Sequence, residues 1–227
     1  MTTQALTLAE MKPADTNVDK SRNFWDRMAR KYAKGKIGDQ AGYERSLERT
    51  RGFLTPDMDV VEIGCGTGTT ALHHAPFVGH ITGTDISPEM VEIAREKVAT
   101  SGPLNADFIA SVADELPFPD DSFDMAMGHN IFHLVEDLDA ALTEAHRIIK
   151  SGGVFITKTP CLGEMNPIMR KAIVPLMQWW FGIATVHKFT IRKFQSALED
   201  ADFRVEAVEF HGTKGKDTRP FIVARKV

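Results

Sequence analysis

Val60-Val61-Glu62-Ile63-Gly64-Cys65-Gly66-Thr67-Gly68 decides how the rest of this chain is read. A short apolar run (Val60, Val61, Ile63) is followed by three glycines on alternate positions and then by Thr69-Thr70-Ala71-Leu72. The pattern predicts a buried parallel strand, a tight turn and the first turn of a helix. Glycine in such a turn takes up backbone conformations closed to other residues and lets a ligand approach the main chain. The helix start adds unpaired N–H groups and a partial positive charge. Together these predict a site for a small anionic or zwitterionic ligand at the carboxyl end of the strand.

The spacing narrows the ligand. Dinucleotide-binding turns carry Gly-x-Gly-x-x-Gly, with the third glycine one step later than here. This chain has Glu-x-Gly-x-Gly-x-Gly from Glu62 to Gly68. A second strand, His80-Ile81-Thr82-Gly83-Thr84, ends at Asp85, where a carboxylate accepts hydrogen bonds from ribose hydroxyls. A glycine-rich turn alone is often plain turn chemistry; turn and Asp85 together point to a nucleoside. No Gly-Lys-Ser/Thr follows, so a triphosphate-binding loop is not expected.

Further motifs follow in order: Ala113-Asp114, Leu116-Pro117-Phe118 with Ser122-Phe123-Asp124, and Ile149-Lys150-Ser151-Gly152-Gly153. With Glu62 to Gly68 and Asp85 they resemble the successive motifs of class I S-adenosylmethionine-dependent methyltransferases. The spacing is most similar to the branch of the ubiquinone and menaquinone C-methyltransferases. The resemblance covers Val60 to Phe155 with specific motifs and the remainder in outline. It implies that Gly64, Cys65, Gly66 and Gly68 hold the methionine part of S-adenosyl-L-methionine, with Glu62 facing its ammonium. Asp85 and Ile86 would take the ribose side, Ala113 and Asp114 the adenine edge, and His129 a backbone contact. It also implies S-adenosyl-L-homocysteine as product. The donor is named far better than the acceptor, in which branches of the family differ freely.

Length and composition set bounds. At 227 residues the chain suits one domain with a substantial core. Apolar content of 43% and charged content of 26% are those of an ordinary globular protein. A net charge of −4 gives no electrostatic case for nucleic acid. Cys65 and Cys161 lie far apart and form no metal-ligand spacing, so free thiols in a reducing compartment are expected and no metal site is. Residues 1–19 lack the segments of a signal peptide and no apolar run is long enough to span a bilayer, so a cytoplasmic location is expected.

Residues 1–17 mix Thr, Ala, Glu, Lys and Pro without a period and are expected to be disordered. Residues 18–227 read as a single domain, with 18–53 a helical cap. Phe24, Trp25, Met28 and Tyr32 recur at helical spacing. The stripe reads as core, and its likeness to a cofactor-flanking helix in related methyltransferases makes Tyr32 a candidate substrate contact. Lys31, Lys34 and Lys36 form a basic cluster around Gly35 and Gly38: a solvated loop, or one that meets an anionic acceptor. Tyr43 to Phe53 is expected to be a second helix.

Ser87-Pro88-Glu89 is a helix start with Ser as cap and Pro at the first position. Strands are expected at 108–110, 123–128 and 154–157, and a helix over 138–149 that stops at Ser151-Gly152-Gly153. A helix over 191–201 and strands over 203–210 and 221–224 close the chain, with the turn at 212–216 able to join those strands as a hairpin. Alternating strands and helices imply an α/β, Rossmann-like doubly wound sheet with ligands at the strands' carboxyl ends. The resemblance adds seven strands, mostly parallel, with an antiparallel C-terminal strand.

Acceptor chemistry is sought at that same edge. His129 follows the fourth strand and His133 lies just beyond. A histidine at a strand end suits proton acceptance at neutral pH, and the alternative for each is scaffold or cofactor contact. If the intervening residues are helical, the two share a face; His133 is the favoured base. Residues 162–187 read as an apolar insertion or lid, with Met165, Trp179 and Trp180 as candidate substrate contacts. Packing on the sheet or a dimer contact accounts for the same residues, and the oligomeric state is not read from them. Arg170, Lys171 and Gln178 argue against a spanning helix and leave contact with a membrane surface open. The reading reached is a methyltransferase acting on a small, partly apolar acceptor. Alternatives are a phospholipid-amine N-methyltransferase at a membrane surface and a non-catalytic cofactor-binding module.

Overall fold

A computed structural model describes residues 16–168, 171–172, 175–176, 185–215 and 217–227. The run Asp59–Ile63 forms β1 and is buried from Val60 onward. It is an inner strand of a seven-stranded sheet with β2 (His80–Asp85), β3 (Ala106–Ala110), β4 (Phe123–His129), β5 (Ile149–Lys158), β6 (Phe203–Glu209) and β7 (Phe221–Lys226). The strand order is β3-β2-β1-β4-β5-β7-β6. The β1–β2, β2–β3, β1–β4 and β4–β5 pairs are parallel, and β7 runs antiparallel to both β5 and β6. The chain winds outward from β1 in both directions, so a crevice opens at the carboxyl ends of β1 and β4.

Helices cover both faces because alternate residues of each inner strand are apolar. Val61, Ile63, Ala126 and Phe155 join Phe132, Leu142, Ile148 and Phe194 in one core layer. Val60, Met125, Met127, Ile156 and Val223 join Ala71, Val91 and Ala94 in the other. Burial of this kind, at about 25 cal/mol per Å² of apolar surface, is the main stabilising term.

Cap chemistry sets the helix starts. Thr16 and Asp19 form a capping box on α1 (Asn17–Ala33), so Asn17 belongs to a helix and the expected disordered segment is shortened there; residues 1–15 lie outside the described residues. Asp39 caps α2 (Gln40–Arg51) through the Gly42 N–H, which starts that helix before Tyr43. After β1 comes α3 (Thr69–His74), and α4 (Pro88–Ser101) begins as its sequence predicted, with Ser87 Oγ accepting from Met90 N. The chain continues with α5 (Leu138–Ile148) and α6 (Ile191–Asp200).

One boundary needs correction. The segment Ser151-Gly152-Gly153 does not precede β5 but lies inside it. Pairing with β4 shifts between Phe123↔Ile149 and Met125↔Val154, so the glycines are accommodated as an irregularity in the ladder. Among the described residues, no helix is long and apolar enough to cross a membrane.

Candidate active site

Two cavities meet at the glycine turn and share Gly64. Gly64, Gly66 and Gly68 have φ of 69°, 54° and 73°, values that L side chains rarely adopt. Each turns the backbone, so the loop folds over the end of β1 and aims α3 at the crevice. Gly66 N–H donates to Asp85 Oδ2 at 2.8 Å and Cys65 N–H to Thr84 O at 2.8 Å, which fastens the turn to β2.

The narrow cavity, about 50 Å³, is lined by Gly64, Asp85, Ile86, Ala113, Asp114 and Ile131, among others. It gathers the four residues read as nucleoside-binding. Asp85 is buried and also accepts from Ser87 N at 2.9 Å. Burial raises its pKa to about 6, with Glu62 and Asp26 adding to the rise and the two backbone bonds opposing it.

The larger cavity, about 930 Å³, holds Glu62, Cys65, Gly66, Tyr32, His129 and Lys158 on its wall. Glu62 is 2% exposed, and its Oε2 has no hydrogen-bond partner among the described residues. Its Oε1 lies 3.7 Å from His129 Nδ1, which also has no hydrogen-bond partner among the described residues. Burial raises the Glu62 pKa and the His129 ring opposes that rise. A buried carboxylate with an orphan oxygen is costly unless a cation or donor meets it. The ammonium of S-adenosyl-L-methionine fits that requirement, and the nucleoside fits Asp85 next door.

Other candidates are placed differently. Gly68 lines neither cavity: a Cβ there would stand 2.7 Å from the Phe108 ring and 2.8 Å from Ala94, so this glycine serves close packing. The Cys65 side chain is packed in the core, and burial pushes its thiol well above the usual range. Both cysteines are free. His133 and His129 are not brought together. Asn130 takes φ 58°, which ends β4 in a reversal instead of continuing into a helix, so the shared helical face does not form. His133 Nδ1 packs 3.3 Å from Thr159 Oγ1, lines neither cavity, and is held to a pKa of about 4 by burial with help from His187. Met165 also lies off both cavities, ending the turn Leu162–Glu164. Trp179 and Trp180 lie outside the described residues. No group of His, Cys, Asp and Glu among the described residues is placed to hold a metal.

Sequence reasoning missed Lys158, Ser46, Tyr43 and Arg219, all on the wall of the larger cavity. Only Lys158 carried a local signal: a lysine directly after the buried run Val154-Phe155-Ile156-Thr157 is out of place unless it meets something.

The family described as Methyltransferase domain matches residues 61–157. The demethylmenaquinone methyltransferase of Symbiobacterium thermophilum is 31% identical over 179 residues, covering 70% of this chain and 68% of that protein. The uncharacterised methyltransferase YcgJ of Bacillus subtilis is 39% identical over 97 residues, covering 43% of this chain but only 38% of its own length. The chain thus spans less than half of some curated relatives that it matches. A solved S-adenosylmethionine-dependent methyltransferase from Mesorhizobium loti superposes with a TM-score of 0.69 at 23% identity, over 82% of this chain and 98% of that one. That likeness bears on the fold. Sequence identity across two thirds of a relative carries the family: this chain belongs to the class I S-adenosylmethionine-dependent methyltransferases, in their menaquinone-type branch.

Proposed function

We propose that the protein binds S-adenosyl-L-methionine across its two cavities and transfers the methyl group to a small, partly apolar acceptor, leaving S-adenosyl-L-homocysteine. The observation that carries this reading is the buried Oε2 of Glu62 beside the Gly64–Gly66 turn, which has no partner among the described residues. Glu62 would take the cofactor's ammonium, Asp85 its ribose hydroxyls, and Ala113 with Asp114 the adenine edge. When bound, the cofactor supplies a methyl carbon made electrophilic by its sulfonium. The chain's own contribution is to hold an acceptor in line with that carbon, and orientation alone supplies much of the rate in such reactions. Where the acceptor must lose a proton, His129 is the imidazole in the larger cavity that can receive it. The Symbiobacterium relative, named for demethylmenaquinone, supports an acceptor with an apolar body.

The test is calorimetry with S-adenosyl-L-methionine, S-adenosyl-L-homocysteine and a nicotinamide dinucleotide. Methyl-labelled cofactor is then incubated with cell-extract fractions and the labelled product identified. Binding of the first two ligands alone, followed by labelling, is the expected result. Binding without any labelled product would favour a cofactor-binding module. A lipid-amine acceptor is the second reading, favoured by Ile168 and Leu176, which stand 72% and 59% exposed in the insertion after β5. Co-sedimentation with phospholipid vesicles separates it from the first.

A further inference from the structure

Glu62 on β1, His129 on β4 and Lys158 on β5 stand on one face of the sheet. Register pairs His129 with Lys158, and Glu62 with Met127, two residues before His129. Neighbouring strands lie about 4.8 Å apart, so the row runs roughly 10 Å along the carboxyl edge. All three line the larger cavity. Glu62 occupies the end assigned to the cofactor's ammonium. Lys158 occupies the other end, and nothing in the proposed reaction uses it.

Lys158 is 8% exposed. Its Nζ donates to Ser46 Oγ at 2.8 Å, and no carboxylate of a described residue lies within ion-pairing distance. An ammonium has three donors and one is occupied here. Ser46 is fixed in turn: its Oγ lies 3.0 Å from Gly42 O and 3.0 Å from His211 Nδ1. His211 Nε2 is 3.1 Å from Glu209 Oε2. The lysine is therefore held at the cavity wall by a built network; burial lowers its pKa, Arg219 adds to the fall, and the more distant carboxylates of Asp217 and Asp39 oppose it without pairing with the ammonium.

The rest of the wall has the same sign. Lys31, Lys36, Lys214 and Arg219 line the cavity with Lys158, against the carboxylates of Asp39 and Glu62 alone. Asp39 is occupied by Gly42 N, Thr213 N and Thr213 Oγ1. Arg219 is paired with Asp217, and Lys214 donates to Gly38 O. Lys31 and Lys36, exposed at the mouth, have no side-chain partner among the described residues. A cavity whose Lys158 end and open mouth are both cationic favours a negative ligand there and draws it in.

We propose that Lys158 anchors the acceptor and that the acceptor is a small organic anion, whose carboxylate or equally compact anionic group pairs with the Lys158 ammonium while Lys31 and Lys36 guard the mouth. This rests on the larger cavity being the acceptor site. It also assigns Lys158 a role in specificity, separate from the proton chemistry of His129.

The test uses the full chain, with and without saturating S-adenosyl-L-homocysteine. The probes are benzoate, its neutral isostere benzamide, and inorganic phosphate as a competitor, followed by calorimetry at neutral pH. Wild type should bind benzoate about tenfold or more tighter than benzamide, as expected for one charge-assisted contact. Lys158→Met should bring benzoate down to the benzamide level, while Lys158→Arg keeps the preference. Displacement of benzoate by phosphate assigns the site to compact anions in general, and failure to displace assigns it to carboxylates; either supports the proposal. Equal affinities for benzoate and benzamide in wild type, no binding of any probe, or a preference that survives in Lys158→Met overturns it. The wild-type comparison stands even if a variant does not fold, which circular dichroism checks. If S-adenosyl-L-homocysteine fails to bind while the Lys158-dependent preference remains, the cofactor reading fails and this one does not.

Discussion

Gly66 donates its backbone N–H to Asp85 Oδ2 at 2.8 Å, so the turn after β1 is bolted to the carboxylate that ends β2. The other oxygen, Oδ1, accepts from Ser87 N. Each oxygen keeps a lone pair, so Asp85 can organise the turn and still accept from two vicinal hydroxyls. The acid is thus a structural member of the turn as well as the group proposed to take the ribose, so its loss should affect both.

Asp85→Ala should weaken S-adenosyl-L-homocysteine binding by about 1–3 kcal/mol at neutral pH, the usual cost of losing hydrogen bonds to a charged acceptor. The carboxylate titrates at about 6, so wild-type affinity should fall as pH drops through that value. Asp85→Asn should show weaker binding near neutrality and no step there. Calorimetry across pH checks both; unchanged affinity in the alanine variant removes Asp85 from the site.

Gly66 and Gly152 form a matched pair. Both have positive φ, 54° and 73°. A Cβ at Gly152 meets nothing within 4 Å, and one at Gly66 meets only Tyr32, at 3.7 Å across the cavity. Alanine at either position costs roughly 1–2 kcal/mol of stability through the left-handed backbone. Only Gly66→Ala also places a methyl where the cofactor would lie. Denaturant melts should therefore give similar losses, while cofactor affinity falls in Gly66→Ala alone. Equal affinities in the two variants would place the ligand away from the turn.

The strand, glycine turn and helix around β1 were legible because their signals are local. A buried strand, a turn of glycines and an acid at the next strand's end are contiguous in sequence, and the fold adds only their juxtaposition. The start of β5 was misread because glycine punctuates turns far more often than it interrupts a parallel strand. The acceptor side was illegible for another reason. Lys158, Ser46 and Tyr43 come from β5 and α2, and only packing brings them to one wall. Asn130 shows the limit most directly: a left-handed residue separates two histidines that helical spacing would have joined.

Stability should fall in acid through His74. Its ring is fully buried, both nitrogens lack partners among the described residues, and burial holds its pKa near 3. In the unfolded chain a histidine titrates near 6.5. Between those values the unfolded state binds the extra proton, so the folded state loses stability as pH falls from about 6.5, by up to about 1.4 kcal/mol per unit from this group. Asp85 acts oppositely, its folded pKa of about 6 lying above its unfolded value. Comparing wild type with His74→Leu isolates the histidine. The stability difference should move in the variant's favour below about pH 6, as read by urea melts at successive pH values. A difference independent of pH would mean that the ring finds a partner.

The last prediction separates the two histidines. His129 lines the larger cavity within 3.7 Å of Glu62, whereas His133 is turned toward Thr159 and lines neither cavity. General-base assistance is worth about 10²–10⁴-fold, and it needs the base within hydrogen-bond reach of the departing proton or one water away. His129→Ala should then slow single-turnover methyl transfer by at least the lower end of that range once the labelled product has identified the acceptor. His133→Ala should stay within a few-fold in rate and lose stability instead, since it removes a half-buried ring and its contact with Thr159. His129→Gln keeps the volume and a hydrogen-bonding end but cannot titrate, so it tests proton transfer against positioning. A slow glutamine variant with normal cofactor affinity assigns the proton to His129. A glutamine variant as fast as wild type, with an unchanged pH profile, reduces His129 to the wall of the ammonium site. Orientation would then account for the rate, as suits an acceptor that carries no proton to lose. If His133→Ala is the slow variant, the loop after β4 must rearrange on binding to bring that ring to the cavity. Hydrogen exchange at residues 130–135, with and without S-adenosyl-L-homocysteine, would register that change.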